Sequence, residues 1–167
     1  AKYGAPSSPE NERCDKHTLS FNTVVIDETS HFNANVKVGN NNHPTLNFFE
    51  TNQYGTVSSG QISTAYKGVE LERTLALINL PMLESTLSVD IFNVTADSSH
   101  KIDLPLHYKG QLIDTSFELL GNTKSLAALG DKNGYQHLWL KAQAQPDEGL
   151  AKVTWLNDNG RFIHKQA

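Results

Sequence analysis

The run Lys101–Thr115, KIDLPLHYKGQLIDT, sets Ile102, Leu104, Leu106 and Tyr108 in alternation with Asp103, Pro105, His107 and Lys109. Successive side chains of a β-strand point to opposite faces, so such a run describes a strand with one dry and one wet face. Gly110 breaks it, and Leu112 and Ile113 resume it. The same alternation recurs along the chain in about eight to ten short segments with turn signals roughly every ten residues. It predicts an all-β chain, an immunoglobulin-like β-sandwich with one short helix. The Cys…Trp…Cys core of antibody domains is missing, because Cys14 is the single cysteine.

Residues 1–17 read as a polar leader and 18–167 as one β-sandwich domain. Strands are expected over His17–Asp27, Phe32–Val38, Thr45–Thr51, Val69–Leu80, Thr86–Ala96, Ile102–Thr115, Tyr135–Ala144, Leu150–Leu156 and Arg161–Gln166. Asn52–Gly60 reads as a loop, and Thr86–Tyr108 as a hairpin turning at Asp97–His100. The helix is expected over Gly121–Gly130, capped by Asn122 or Thr123 and closed by Gly130.

A net charge of -4 on 167 residues, with 14 scattered Lys and Arg, argues against nucleic acid as a partner. No apolar run approaches the roughly 18 residues that span a bilayer. Cys14 lies in the polar leader, which reads as an incidental thiol. An Ala at position 1, abundant Asn, Ser and Thr, and a single cysteine lean towards export to the periplasm, cell surface or medium.

No GxSxG, P-loop, GxGxxG or EF-hand pattern occurs, and the sequence calls for no cofactor, no metal and no catalytic residue. The seven histidines lack paired ligand spacing. Glu70 and Glu72 share one strand face, a spacing open to glycoside hydrolysis, but they read first as a solvated face beside Arg73. Tyr135, Trp139 and Trp155 are candidate sugar-stacking rings, with core packing as the plainer reading. Tyr3, Tyr54 and Tyr66 on expected loops are weaker candidates of the same kind.

Leu75–Leu87 (LALINLPMLESTL), Ile102–Thr115, and YQHLWLKAQA followed by PDEGLAKVTWL form a sequence of strands, bends and Gly turns. Together with Thr18–Asp27 (TLSFNTVVID), this order resembles the pilin subunits of chaperone–usher fimbriae, closest to the class 5 (alpha-type) group. The resemblance implies a sandwich lacking one strand, filled first by a periplasmic chaperone and then by a neighbouring pilin subunit. It makes Leu19, Phe21, Thr23 and Val25 donor-strand residues, and the protein a non-catalytic fibre subunit that meets a host glycan or protein receptor. Asn157–Ala167 extends beyond the pattern, as an edge strand or a self-filling one. The alternative expectation is a secreted β-sandwich binding module for a carbohydrate or protein ligand.

Overall fold

Alternation becomes a strand only when a neighbour accepts its backbone hydrogen bonds, and in this chain hairpin turns supply most neighbours. A computed structural model describes residues 16–83, 85–122, 125–146, 149–157 and 160–166. Residues 1–15, with Tyr3 and Cys14, lie outside the described residues. The chain is all-β, as its alternation requires. It forms two compact units, one ending at Pro105 and one starting at Leu106.

The first unit holds β1 (Val25–Ile26), the short helix α1 (Val36–Asn40), β2 (Thr45–Asn52), β3 (Gly55–Tyr66), β4 (Val69–Ile78), β5 (Leu87–Ala96) and β6 (Ile102–Asp103). The strands β2-β3-β4-β5 form an antiparallel meander in chain order. Gln53–Tyr54 and Lys67–Gly68 are two-residue connections, since Asn52 pairs with Gly55 and Tyr66 with Val69. Val24, Ile26, Ala65, Tyr66, Val69 and Leu71 make the buried core, with Phe32, Ile62, Phe92 and Val94 packed on it. That core sits at one end of the meander. Leu71 faces Ile62 and Val94 across the register, whereas Leu75 faces Ser58 and Asp90 and is exposed.

The second unit holds β7 (Gln111–Thr115), β8 (Leu120–Gly121), β9 (Ala142–Gln143), β10 (Ala151–Asn157) and β11 (Gly160–Gln166). Its three-stranded sheet runs β11-β10-β7, all antiparallel, so the expected C-terminal strand is an edge strand of its own chain. Trp155 and Thr154 on the central strand are buried. β8 and β9 pair separately.

Several expected elements differ, each for a physical reason. His17–Asp27 is not a long strand: a 3-10 turn at Thr18–Ser20 interrupts it, and only Val25–Ile26 pairs, with β6. Val24, Val25 and Ile26 are all buried in succession, so alternation does not govern them. Phe32–Val38 becomes a left-handed turn and α1. The Asn35 carboxamide oxygen accepts from the backbone N–H of Lys37 (3.1 Å) and Val38 (3.2 Å), a cap that starts a helix where no strand offers a ladder.

Asn52–Gly60 is largely strand, because Thr56, Val57, Ser58 and Ser59 have partners on both β2 and β4. The opening alternation, Ile102–Tyr108, ladders only at Ile102–Asp103, so Thr86–Tyr108 is no hairpin. β5 pairs back with β4, and Pro105 has no N–H to give a ladder. Tyr135–Ala144 forms a 3-10 turn and the two residues of β9. The described residues of Gly121–Gly130 are not helical: Gly121 belongs to β8, and Ala128 bridges to Trp139. Asn122 spends its side chain on Ser125, donating to its carbonyl at 2.5 Å, and Thr123 lies outside the described residues.

Candidate functional site

Between the first 3-10 turn and α1 lies a strained stretch of the first unit. Asp27, Glu28, Phe32, Asn33 and Ala34 all have φ between +50° and +59°. Non-glycine residues pay of order 1–3 kcal/mol each for such backbone, and they hold it only when their surroundings over-determine it. Here the surroundings do. The His31 N–H donates to Thr18 Oγ1 at 2.7 Å, and the Thr18 N–H donates to Ser30 Oγ at 3.3 Å. Ser30 Oγ also meets His17 Nδ1 at 2.9 Å, and the Tyr66 hydroxyl donates to the Thr29 carbonyl at 2.9 Å.

A cleft of about 290 Å³ opens beside this loop, with Lys16, Phe21, Thr23, His31, Phe32 and Asn40 in its lining. The His31 ring stands edge-on to Tyr66, with centroids 5.0 Å apart, and to Phe32 at 6.4 Å. Its Nε2 is buried and has no hydrogen-bond partner. Burial pushes the His31 pKa below its ordinary 6.5, while a hydrogen bond to the Val24 backbone opposes the shift. The ring is therefore neutral near neutrality, with its Nε2 enclosed and unpartnered.

This fixes a sign for the acid response. As pH falls below about 6.5 the unfolded chain takes up a proton before folded His31 does, so stability drops through that window. Unfolding followed between about pH 7 and pH 5 loses stability in the native sequence and loses less in His31→Phe. Asp27 acts in a separate window. Its hydrogen bond from His100 and then the Lys101 N–H hold its carboxyl below 3.8, so its contribution persists above that value and is lost in stronger acid.

Two other constellations look chemical and are structural. Asp27 Oδ2 meets His100 Nδ1 at 2.7 Å, and His100 Nε2 meets Ser98 Oγ at 3.1 Å, the order of a nucleophilic triad. Ser98, however, is exposed and also reaches Asp97 Oδ1 at 3.2 Å, so its single proton has two takers. With the Lys101 N–H donating to Asp27 Oδ1 at 2.9 Å, the chain staples the turn after β5 to the strand pair β1–β6. Glu72 crosses the meander: Asn47, Ser59 and Asn93 donate to its carboxylate at 3.0, 3.2 and 3.1 Å. Asn93 first, then Ser59, holds its pKa down. It is a carboxylate held in its ionised form by three donors, and Glu70 is exposed without joining that network.

The residues singled out from the sequence scatter. Leu19 and Val25 are buried in their own chain, whereas Phe21 and Thr23 line the cleft. Trp155 is buried and stacks on Tyr108 with centroids 4.6 Å apart, Tyr135 is buried, and Trp139 is 56% exposed. Tyr54 is exposed and Tyr66 is a core residue. Among the described residues no group of three or more His, Cys, Asp or Glu is placed to hold a metal. No helix among them is long and apolar enough to cross a membrane. Sequence reasoning missed His31, since a histidine flanked by Ser30 and Phe32 carries no sign of the Thr18 and Tyr66 side chains that enclose it.

A family profile described as "Heparinase II/III-like, C-terminal" matches residues 1–166. The chain is 40% identical over 159 residues to a protein of Saccharophagus degradans named exo-oligoalginate lyase, covering 95% of this chain and 22% of that relative. It is 39% identical over 162 residues to one of Stenotrophomonas maltophilia named alginate lyase, covering 97% and 22%. The chain thus spans about a fifth of the length of these relatives. These matches overturn the pilin resemblance, and with it the non-catalytic fibre subunit and the pilin, chaperone and host-receptor partners. The pilin likeness rested on alternation and Gly turns, which antiparallel sheets of any lineage share. The donor-strand role of Leu19, Phe21, Thr23 and Val25 falls with it.

Proposed function

The chain belongs to the heparinase II/III-like C-terminal family, and on that footing we propose that it is the β-sheet part of a polysaccharide lyase acting on a uronate polymer of the alginate kind. The observation that carries this reading is the 40% identity over 95% of the chain with a relative named as a lyase. A lyase breaks a uronate glycosidic bond by elimination. A base removes the proton on the carbon that bears the carboxylate, the leaving oxygen is protonated, and a carbon–carbon double bond remains. The groups of this chain with shifted protonation suit support better than proton abstraction. Tyr66 is buried, its pKa is raised by that burial, and its proton is committed to Thr29; Glu72 is held ionised by three donors.

The uncovered end of the meander fits the same role. Leu46, Phe49 and Leu77 share the face of the buried Leu71 and are 66%, 56% and 47% exposed. Apolar sheet faces of this kind mark contact with another layer of protein. In this reading that layer is the remainder of the enzyme.

The test is direct. The protein in its full length is incubated with alginate and the ultraviolet absorbance of an unsaturated uronate product is followed. A steady rise is expected. Absence of any rise, with soluble folded protein and fresh substrate, removes the lyase reading.

A further inference from the structure

We propose that the turn end of the meander β2–β5 is clasped on both of its faces by the part of the polypeptide outside residues 1–167; the occupant rests on the lyase reading above. An antiparallel sheet commonly keeps one face on a core and turns the other to water. The half of the meander near Leu71 does so. One face there belongs to the buried core. The other carries Glu70 opposite Thr95, and the Glu72 carboxylate with its three donors.

The half nearer the turns departs from that rule. Leu75, Ala76, Leu77 and Ile78 are apolar in succession, the mark of a strand buried on two sides. Leu75 and Leu77 lie on the core face with Phe49. Ala76 and Ile78 lie on the opposite face. Val57 and Val89 stand across from Ala76, and Leu87 stands across from Ile78. Phe48 and Ile91 fill the next row of that face, beside Ser59 and Thr74. Leu75, Leu77 and Phe49 are exposed on the first face, and Phe48, Leu87 and Ile91 on the second. The end of the sheet is apolar as well: Tyr54, Leu80 and Leu83 are exposed in its two connections, and Met82 is 86% exposed. Apolar surface on two faces and an end belongs to the inner layer of a stack.

Charge chooses among the occupants. No Lys or Arg occurs over residues 38–66 or 74–100. Arg73, between those stretches, donates to Asp90 from Nε at 2.8 Å and Nη2 at 2.6 Å, and it stacks on Phe92. Glu50 stands opposite Val57 on the second apolar face. A second copy docking through the same patch brings Glu50 no cation, and an anionic lipid surface adds negative charge. A carboxylate taken out of water needs a partner, so both occupants are disfavoured. Another stretch of the polypeptide can supply one. In a protein as long as the relatives, most of the chain lies outside residues 1–167.

The experiment uses the full-length protein. The photo-crosslinking residue p-benzoylphenylalanine is placed at Leu77 on one face, at Ile91 on the other, and at exposed Thr95 on the polar half as a control. Crosslinked peptides are mapped by mass spectrometry. The probes at Leu77 and Ile91 are each expected to join a peptide outside residues 1–167 of the same molecule, and the probe at Thr95 to join none. A crosslink from Leu77 with none from Ile91 overturns the two-sided clasp, and a crosslinked dimer from either position overturns the occupant. Oxidation of Met82 by hydrogen peroxide repeats the test on the native sequence, where no substitution can disturb folding. Met82 is expected to form its sulfoxide about tenfold more slowly than the methionine of an unstructured peptide. An equal rate overturns the clasp. Alginate cleavage is followed on the same samples. Cleavage without crosslinks removes the clasp and keeps the lyase, whereas crosslinks without cleavage remove the lyase and keep the clasp.

Discussion

Replacing Tyr66 with alanine lowers the stability of the first unit by about 3–5 kcal/mol, the range for removing a buried aromatic ring. Tyr66 is 8% exposed and ends β3 at the register position opposite Val69, inside the cluster of Val24, Ile26, Ala65 and Leu71. Its ring carries the edge of His31, and its hydroxyl holds the Thr29 carbonyl at the entry to the strained loop. The truncation therefore empties core volume and releases Phe32–Ala34 together. Tyr66→Phe separates the two contributions. It keeps the ring and leaves the Thr29 carbonyl unpaired, at a cost of about 1 kcal/mol. Urea unfolding of the two variants measures both numbers. A loss in Tyr66→Ala no larger than that in Tyr66→Phe would show that the ring is not a core element.

Replacing Gly110 with alanine costs about 3 kcal/mol or more and frees β7 from β10, since backbone strain alone is worth roughly 1–3 kcal/mol and a backbone clash adds to it. Gly110 has φ of +121°, and a Cβ there stands 2.1 Å from the Leu156 carbonyl oxygen and 2.9 Å from its carbon. Leu156 cannot withdraw, because β10 is hydrogen-bonded on its other edge to β11, with Leu156 opposite Arg161. Gly149→Ala is the internal control. Its φ of +124° is similar but nothing lies within 4 Å of the added atom, so it bears the strain without the clash. Amide exchange across Gln111–Thr115 should accelerate in Gly110→Ala and stay slow in Gly149→Ala. Equal exchange in the two would mean that the close approach of Gly110 to Leu156 carries no energy.

Most strands with hairpin partners were legible, although β3 was not because Gly55 and Gly60 read as breaks, and alternating runs without a partner were misread. Val69–Ile78 and Ala151–Asn157 alternate and have neighbours on both edges, so pattern and structure agree within a residue or two. Phe32–Val38 alternates equally well but meets no ladder, and its Val36 and Val38 stay exposed. The candidate site was hidden for a related reason. His31 acquires its bare Nε2 from Thr18, 13 residues earlier, and Tyr66, 35 residues later, and no local spacing encodes that enclosure. The aromatics show the same limit, since Trp139 and Trp155 sit in similar alternating runs and one is open while the other is buried.

By itself the sequence determined the all-β class. It follows from the two-residue pleat, which is a local property of the chain. Only the tertiary structure decided which alternating runs find a partner, which rings are covered, and that His17, Thr18, Ser30, His31 and Tyr66 converge on one strained loop beside a cleft. Those outcomes depend on contacts between residues far apart in the chain, where hydrogen-bond satisfaction and burial are settled jointly and no short stretch carries the answer.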